Sequence, residues 1–285
     1  MKITHDIKRL KEIYSSNSLV PFVGAGLSRP FNIPDWKNLL LKLNDELIDD
    51  FDIRNLIKED IGLNKYWEAV EMIKEYSFKD ESYINSEVVN IINDSMEKNI
   101  SSVDNNYVDL NNLKVPYYLT TNYDNLLSSH IDGQYQTTIL KNWENSMQSV
   151  IMDKTAKRIF HLHGDLANPG SIVLSKKSYD DMYSSEKYRE LFSFFKNGYT
   201  FLFLGFSFSD KYIIELMMKN SDIFNSHHYI VLPNPTKELR QEYMNKYKLI
   251  VIGYEVKDIS DSDEHVRGIR EILESIGANQ EIENF

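Results

Sequence analysis

Apolar positions along the chain fall into two registers. Segments 18–23, 115–120, 158–162, 171–174, 200–204, 228–232 and 249–252 are short and rich in aliphatic and aromatic residues. Several are continuous apolar runs without alternation, the pattern needed by strands covered on both faces. Pro21 interrupts the first of them and has no N–H for a ladder, so that strand is expected at an edge or a bulge. From Trp36 the register changes to helical, with Leu39, Leu40, Leu43 and Leu47 on one stripe and Pro34-Asp35 as a start signal. Segments 186–196 and 210–218 have the same character, and Val266, Ile269, Leu273 and Ile276 mark a closing helix. Residues 50 to 106 read differently: 66–76 and 88–96 are helical, the breaks are polar and Asn-rich, and no strand is convincing. Alternating strands and helices predict an α/β fold with a doubly wound, mostly parallel sheet. We therefore expect one domain over 1–285 with a helical insertion at about 50–106.

Composition narrows the function classes. With 43 acidic against 32 basic residues and a net charge of -11, the chain lacks the electrostatic footprint of a nucleic-acid binder. The absence of cysteine removes disulfides, thiolate nucleophiles and Cys-ligated zinc together, and fits a reducing compartment. The first 18 residues form a charged amphipathic stretch instead of a signal peptide, and no apolar run approaches membrane length. A cytoplasmic protein with no membrane or direct nucleic-acid partner is expected.

Four short segments carry the candidate chemistry: Val23-Gly24-Ala25-Gly26-Leu27-Ser28, Thr120-Thr121-Asn122-Tyr123-Asp124, His161-Leu162-His163-Gly164-Asp165 and Leu204-Gly205-Phe206-Ser207. Three of them follow strand-like runs, where an open α/β sheet places its ligand-binding loops. A Gly-x-Gly turn between strand and helix lets a phosphate reach backbone N–H groups, and the helix dipole favours the anion. Ser28 would add a hydroxyl donor. Alone, such a turn is as readily a simple chain reversal. Arg29 stands where a dehydrogenase fingerprint has its third glycine, which disfavours hydride-transfer chemistry.

Together the segments resemble the sirtuin signatures. Gly24-Ala25-Gly26-Leu27-Ser28 followed by Ile33-Pro34-Asp35-Trp36 is similar to Gly-Ala-Gly-x-Ser and Ile-Pro-Asp-Phe-Arg. Thr121-Asn122-Tyr123-Asp124 is similar to Gln-Asn-x-Asp, His163-Gly164 to the His-Gly pair, and Gly205-Phe206-Ser207 to the late Gly-Thr-Ser. Sirtuin deacylases also carry a zinc module with two Cys-x-x-Cys pairs, which a cysteine-free chain does not have. Nor does Phe-Gly-Glu follow His163-Gly164, and Lys37 and Thr121 replace the signature's Arg and Gln. The wording Thr-Thr-Asn-Tyr-Asp, His-Gly-Asp and Gly-Phe-Ser-Phe-Ser-Asp is closer to the sirtuin-like domains of bacterial anti-phage systems.

That resemblance implies a Rossmann-like fold that hydrolyses NAD to nicotinamide and ADP-ribose, with no metal. Breaking the N-glycosidic bond develops oxocarbenium character on the ribose, so a site must position that sugar and deliver water. By the resemblance Asn122 positions and His163 is the base. Gly24, Ala25, Gly26, Ser28, Asp35, Trp36, Thr121, Asp124, Gly205 and Ser207 are expected to bind the dinucleotide. Asp35, just before a helix, reads equally as its cap, and Asp165 as a turn carboxylate. The adenine pocket is expected at the ends of 200–204 and 228–232. His161, two residues from His163, would share its face on a strand, which makes a paired-His metal site imaginable but poorly supplied with other ligands. An unrestrained NADase would exhaust a cell, so a homo-oligomer gated by a partner is expected, with a HerA-like hexameric ATPase the partner implied by the family. Competing readings are a module that binds NAD or ADP-ribose without cleaving it and, less favoured, an NAD-dependent deacylase.

Overall fold

The computed structural model describes residues 5–143, 156–196, 198–206 and 227–277. Its strands are β1 (Leu19–Val23), β2 (Tyr117–Thr120), β3 (Tyr135–Ile139), β4 (Lys157–His161), β5 (Thr200–Leu204), β6 (His228–Pro233) and β7 (Leu249–Tyr254). Among the described residues they form one sheet in the order β3-β4-β2-β1-β5-β6-β7, and every neighbouring pair is parallel. The doubly wound Rossmann-like α/β fold follows.

Side-chain alternation in the inner strands explains why both faces are covered. Leu19 and Val23 of β1, Tyr118 of β2, Leu202 and Leu204 of β5, and Tyr229 and Val231 of β6 enter one core. That core is closed by α1 (His5–Ser15), α2 (Trp36–Leu47), α3 (Phe51–Gly62), α4 (Tyr66–Ser77), α5 (Glu81–Ser95), α6 (Asn106–Leu113), α7 (Leu126–His130) and α11 (Ser262–Gly277). Val20, Phe22, Leu119, Phe201, Phe203 and Ile230 enter a more aromatic core on the other face. There α8 (Lys176–Ser184), α9 (Glu186–Lys196) and α10 (Lys237–Tyr247) supply Tyr183, Tyr188, Phe192, Phe195, Tyr243 and Tyr247.

Three expectations are corrected. Pro21 does not mark an edge, because β1 is the central strand. Its residues alternate direction: the Gly24 N–H donates to Leu204 of β5, whereas the Val23 carbonyl accepts from Thr121 after β2. Pro21 therefore faces β2, and that ladder begins only at Phe22, so the missing N–H falls before the first paired position. Segment 171–174 is buried but is no strand. The Ile172 carbonyl accepts from Asn85 Nδ2, the Val173 carbonyl from Tyr123 OH, and the Val173 N–H donates to His163, so its backbone is satisfied without a ladder. The glycine turn feeds a 3₁₀ segment, Ala25–Phe31, and not directly α2; Asn32 at φ 61° separates the two. The helix expected over 210–218 lies outside the described residues. No helix among the described residues is long and apolar enough to cross a membrane.

Candidate active site

Chain order reverses at β1, whose neighbours are β2 on one side and β5 on the other. In open α/β sheets ligands bind in the crevice beyond the carboxyl ends of strands at such a switch point. Two cavities lie there, of about 140 and 200 Å³. Asn122 and His163 line the first with Thr121, Asp124 and Tyr179, beneath Trp67 of α4. The second is lined by Gly26, Asp35 and Gly205, by Val231 and Leu232 of β6, and by Tyr254 and His265. Ala25 and Trp36 border both. Each cavity holds several waters' worth of space, and together they flank the turn as two compartments of one cleft.

Asn122 is 7 % exposed, and its amide is oriented by chemistry. Nδ2 donates to the Gly24 carbonyl at 3.2 Å, to Ser28 Oγ at 3.0 Å and to Tyr107 OH at 3.3 Å. A carbonyl only accepts, so the nitrogen must face Gly24. Oδ1 is left buried without a hydrogen-bond partner. A buried acceptor left without a partner, on a residue that lines the cavity, suits a hydroxyl donor from a ligand.

His163 is 1 % exposed, and burial pushes its imidazole down to about 3. It is therefore neutral at pH 7. Nε2 lies 2.8 Å from Tyr183 OH and Nδ1 lies 3.3 Å from Tyr179 OH. Tyr179 lines the first cavity and Tyr183 does not, so the Nδ1 side faces the ligand space. His161 ends β4 and meets different groups: its Nδ1 is 3.3 Å from the Asn122 carbonyl oxygen. β4 ends at His161, and the two rings meet different partners, so the shared face expected from alternation does not bring them together as a ligand pair. Burial also lowers the His161 pKa, against the opposing charges of Asp165 and Asp124. No cluster of three or more His, Asp or Glu able to hold a metal ion occurs among the described residues.

The other expected ligand residues divide. Thr121 and Asp124 line the first cavity, Gly26, Asp35 and Gly205 the second, and Ala25 and Trp36 both. Asp35 also caps α2, accepting from the Asn38 N–H at 2.9 Å. Asp124 is buried, and desolvation raises its pKa although Ser28 and the Leu126 N–H bond it. Ser207 lies outside the described residues. Asp165 accepts from the Ala167 N–H at 2.6 Å, as a turn carboxylate does.

Four donors are not where the motif put them. Ser28 is fully buried and lines neither cavity; its hydroxyl donates to Asp124 Oδ2 at 2.7 Å. The N–H of Gly24 donates to Leu204, that of Gly26 to Gly205 and that of Leu27 to Gly24, so these cannot cradle a phosphate. The glycines serve a close approach instead. A Cβ on Gly26 would sit 2.7 Å from the Gly205 oxygen, and one on Gly205, at φ 74°, would sit 2.7 Å from the Leu27 nitrogen. Tyr107, Tyr179, Tyr183 and Trp67 belong to the site and were not singled out from the sequence. Their only advance signal is the abundance of tyrosine, 18 residues, which does not say which ones converge.

Residues 116–252 match the family model described as SIR2-like domain. The chain is 26 % identical to NAD(+) hydrolase ThsA of Acinetobacter baumannii (strain 532279) over 276 residues, 89 % of this chain and 50 % of the relative. It is 25 % identical to the protein of that name from Bacillus cereus (strain MSX-D12) over 227 residues, 78 % of this chain and 44 % of the relative. The one from Enterococcus faecium is 26 % identical over 240 residues, covering 81 % and 46 %. The chain spans about half the length of these curated relatives.

Proposed function

We propose that this chain, whose residues 116–252 match the family model described as SIR2-like domain, hydrolyses NAD to nicotinamide and ADP-ribose. The observation that carries the reading is convergence: Asn122 after β2 and His163 after β4 line one cavity beside the glycine turn after β1. The names of the similar proteins, NAD(+) hydrolase ThsA, support the same substrate. The residues fit a dinucleotide. Asn122, which lines the first cavity, keeps a buried amide oxygen without a partner for a sugar hydroxyl, and the second cavity shares Ala25 and Trp36 with the first.

In this mechanism Asn122 Oδ1 accepts from a hydroxyl of the nicotinamide ribose and fixes the sugar while its C1′–N bond breaks. Nicotinamide departs as a neutral base. A water, taking the place of the Tyr179 hydroxyl at His163 Nδ1, adds to C1′ and gives up a proton to that nitrogen. Burial keeps His163 unprotonated but also weakens it as a base. Its share therefore falls toward the lower end of the usual 10²–10⁴-fold, and orientation and electrostatics supply most of the acceleration. Trp36, Trp67 and Tyr179 wall the first cavity with aromatic surface that suits the departing ring.

The single sheet supports reading 1–285 as one domain, with 50–106 an insertion on its first face. We place the protein in the cytoplasm, as a gated effector of anti-phage defence. Association into a homo-oligomer and a HerA-like hexameric ATPase partner would supply the gate. The test is nicotinamide release from NAD, with and without an acetylated peptide. Release without peptide is expected; release only with peptide would instead make the chain a deacylase, and binding without release would make it a sensor.

A further inference from the structure

Asn122 projects into the cleft from the loop after β2, yet what holds its amide comes partly from a helix that the motifs do not include. We propose that Tyr107 of α6 is a positioning residue that locks the Asn122 side chain in its working orientation; this rests on the NAD-cleaving reading above.

Counting donors fixes the direction of each bond. Ser28 has one hydroxyl hydrogen, and it goes to Asp124 Oδ2 at 2.7 Å. Ser28 Oγ can then only accept, and it lies 2.7 Å from Tyr107 OH and 3.0 Å from Asn122 Nδ2. Tyr107 therefore donates to Ser28, and its oxygen accepts from Asn122 Nδ2 at 3.3 Å. Burial and the nearby Asp124 carboxylate both hold the phenol well above its ordinary value, so Tyr107 keeps its proton. The network is closed: Asn122 Nδ2 has three acceptors for two hydrogens, and Oδ1 is the one polar atom of the amide left without a partner.

The Tyr107 hydroxyl is placed independently of that network. Its ring lies 5.6 Å from His130 in a stacked arrangement and 6.1 Å from Phe31. The Asn105 side chain caps α6 by accepting from the Tyr107 and Val108 N–H groups. Arg270 of α11 clamps the same turn, bonding Asp109 through Nε at 3.0 Å and Asp104 through Nη2 at 2.7 Å. A rigidly seated helix thus presents one hydroxyl to an amide that would otherwise be free to turn about its terminal torsion. A group held for the transition state loses rate, not affinity, when it loosens.

The experiment uses the full chain with Tyr107→Phe, which keeps the ring and removes the hydroxyl. For NAD cleavage the expected result is a kcat lower by about 10-fold or more with KM within about twofold. Hydrogen exchange of the Asn122 side-chain amide, identified in an asparagine-labelled spectrum by its loss in Asn122→Ala, should quicken in parallel. Turnover within twofold of the unsubstituted chain overturns the proposal. So does a fall in kcat with unchanged Asn122 exchange, which would place Tyr107's effect elsewhere. If Tyr107→Phe does not fold, Ser28→Ala removes the acceptor that takes the Tyr107 proton and so aims its oxygen at Asn122, and is expected to give the same kcat-only loss and faster exchange; their absence refutes the proposal. If the unsubstituted chain releases no nicotinamide, the NAD reading fails, and the exchange measurement alone decides the positioning role.

Discussion

Lowering the pH from 7.5 to 5 should leave catalysis nearly intact while weakening the fold, because the same buried imidazole governs both. Burial holds His163 at about 3 against an ordinary 6.5, so at pH 5 the folded protein keeps it neutral and the unfolded chain protonates it. The unfolded state then binds more protons, and stability falls as pH drops through the window from about 6.5 toward 3. At pH 5 the unfolded imidazole lies 1.5 units above the pH, which at about 1.4 kcal/mol per unit removes about 2 kcal/mol. His228, held at about 4 chiefly by burial, adds a loss of the same sign and roughly similar size. Urea melts at both pH values measure the total, and His163→Gln should shrink the pH-dependent loss by about 2 kcal/mol. For activity the sign differs: a base must be unprotonated, so a depressed pKa moves the acid limb of kcat/KM below pH 5. Asp124, whose pKa is raised by desolvation, is the other group able to set a limb, and Asp124→Asn identifies it. A limb near pH 6.5 that survives Asp124→Asn, or an unchanged stability difference in His163→Gln, would refute the assignment of a buried neutral base.

Asn122→Ala and His163→Ala should each cut nicotinamide release by at least about 10²-fold while circular dichroism stays that of the parent chain. Gly205→Ala forces a Cβ against Leu27 at φ 74°, and chemical denaturation should show a loss of about 1–3 kcal/mol or more. Turnover per chain should rise with protein concentration in step with mass by light scattering, since a partner or second copy can gate the site only by favouring its active state; full activity in a dilute monomer would remove that idea.

How much the sequence revealed depended on whether burial left a periodic mark. The strand over 200–204 and the helix over 186–196 coincide with β5 and α9, because one is apolar throughout and the other buries a regular stripe of Tyr188, Leu191, Phe192 and Phe195. β3 escaped notice because Tyr135, Gln136, Thr137 and Thr138 form a half-exposed edge with no apolar run. α10 escaped for a related reason: only Tyr243 and Tyr247 of its residues are buried. Segment 171–174 misled in the other direction, since an apolar run reports burial and not a ladder. At the site, Asn122 and His163 were legible because each sits in a short contiguous motif. Tyr107, Tyr179 and Tyr183 act through hydroxyls that meet their partners across 15, 16 and 20 positions of chain, a distance no local pattern encodes.

The glycine turn shows why motif and mechanism need separate arguments. Its glycines were expected to open the backbone to a phosphate, yet Gly24, Gly26 and Gly205 pack the turns after β1 and β5 against each other. That contact has a functional consequence of its own. With the Gly26 N–H donating to Gly205 at 2.8 Å, the turns after the two central strands are held together by backbone. Ala25 and Trp36 border both cavities, so a ligand spanning the two would run past them. The Gly24 carbonyl in the same turn also accepts from Asn122. A bulkier residue at Gly26, which lines the second cavity, would therefore disturb the path of the ligand and, through the Gly24 carbonyl of the same turn, the aim of the Asn122 amide together.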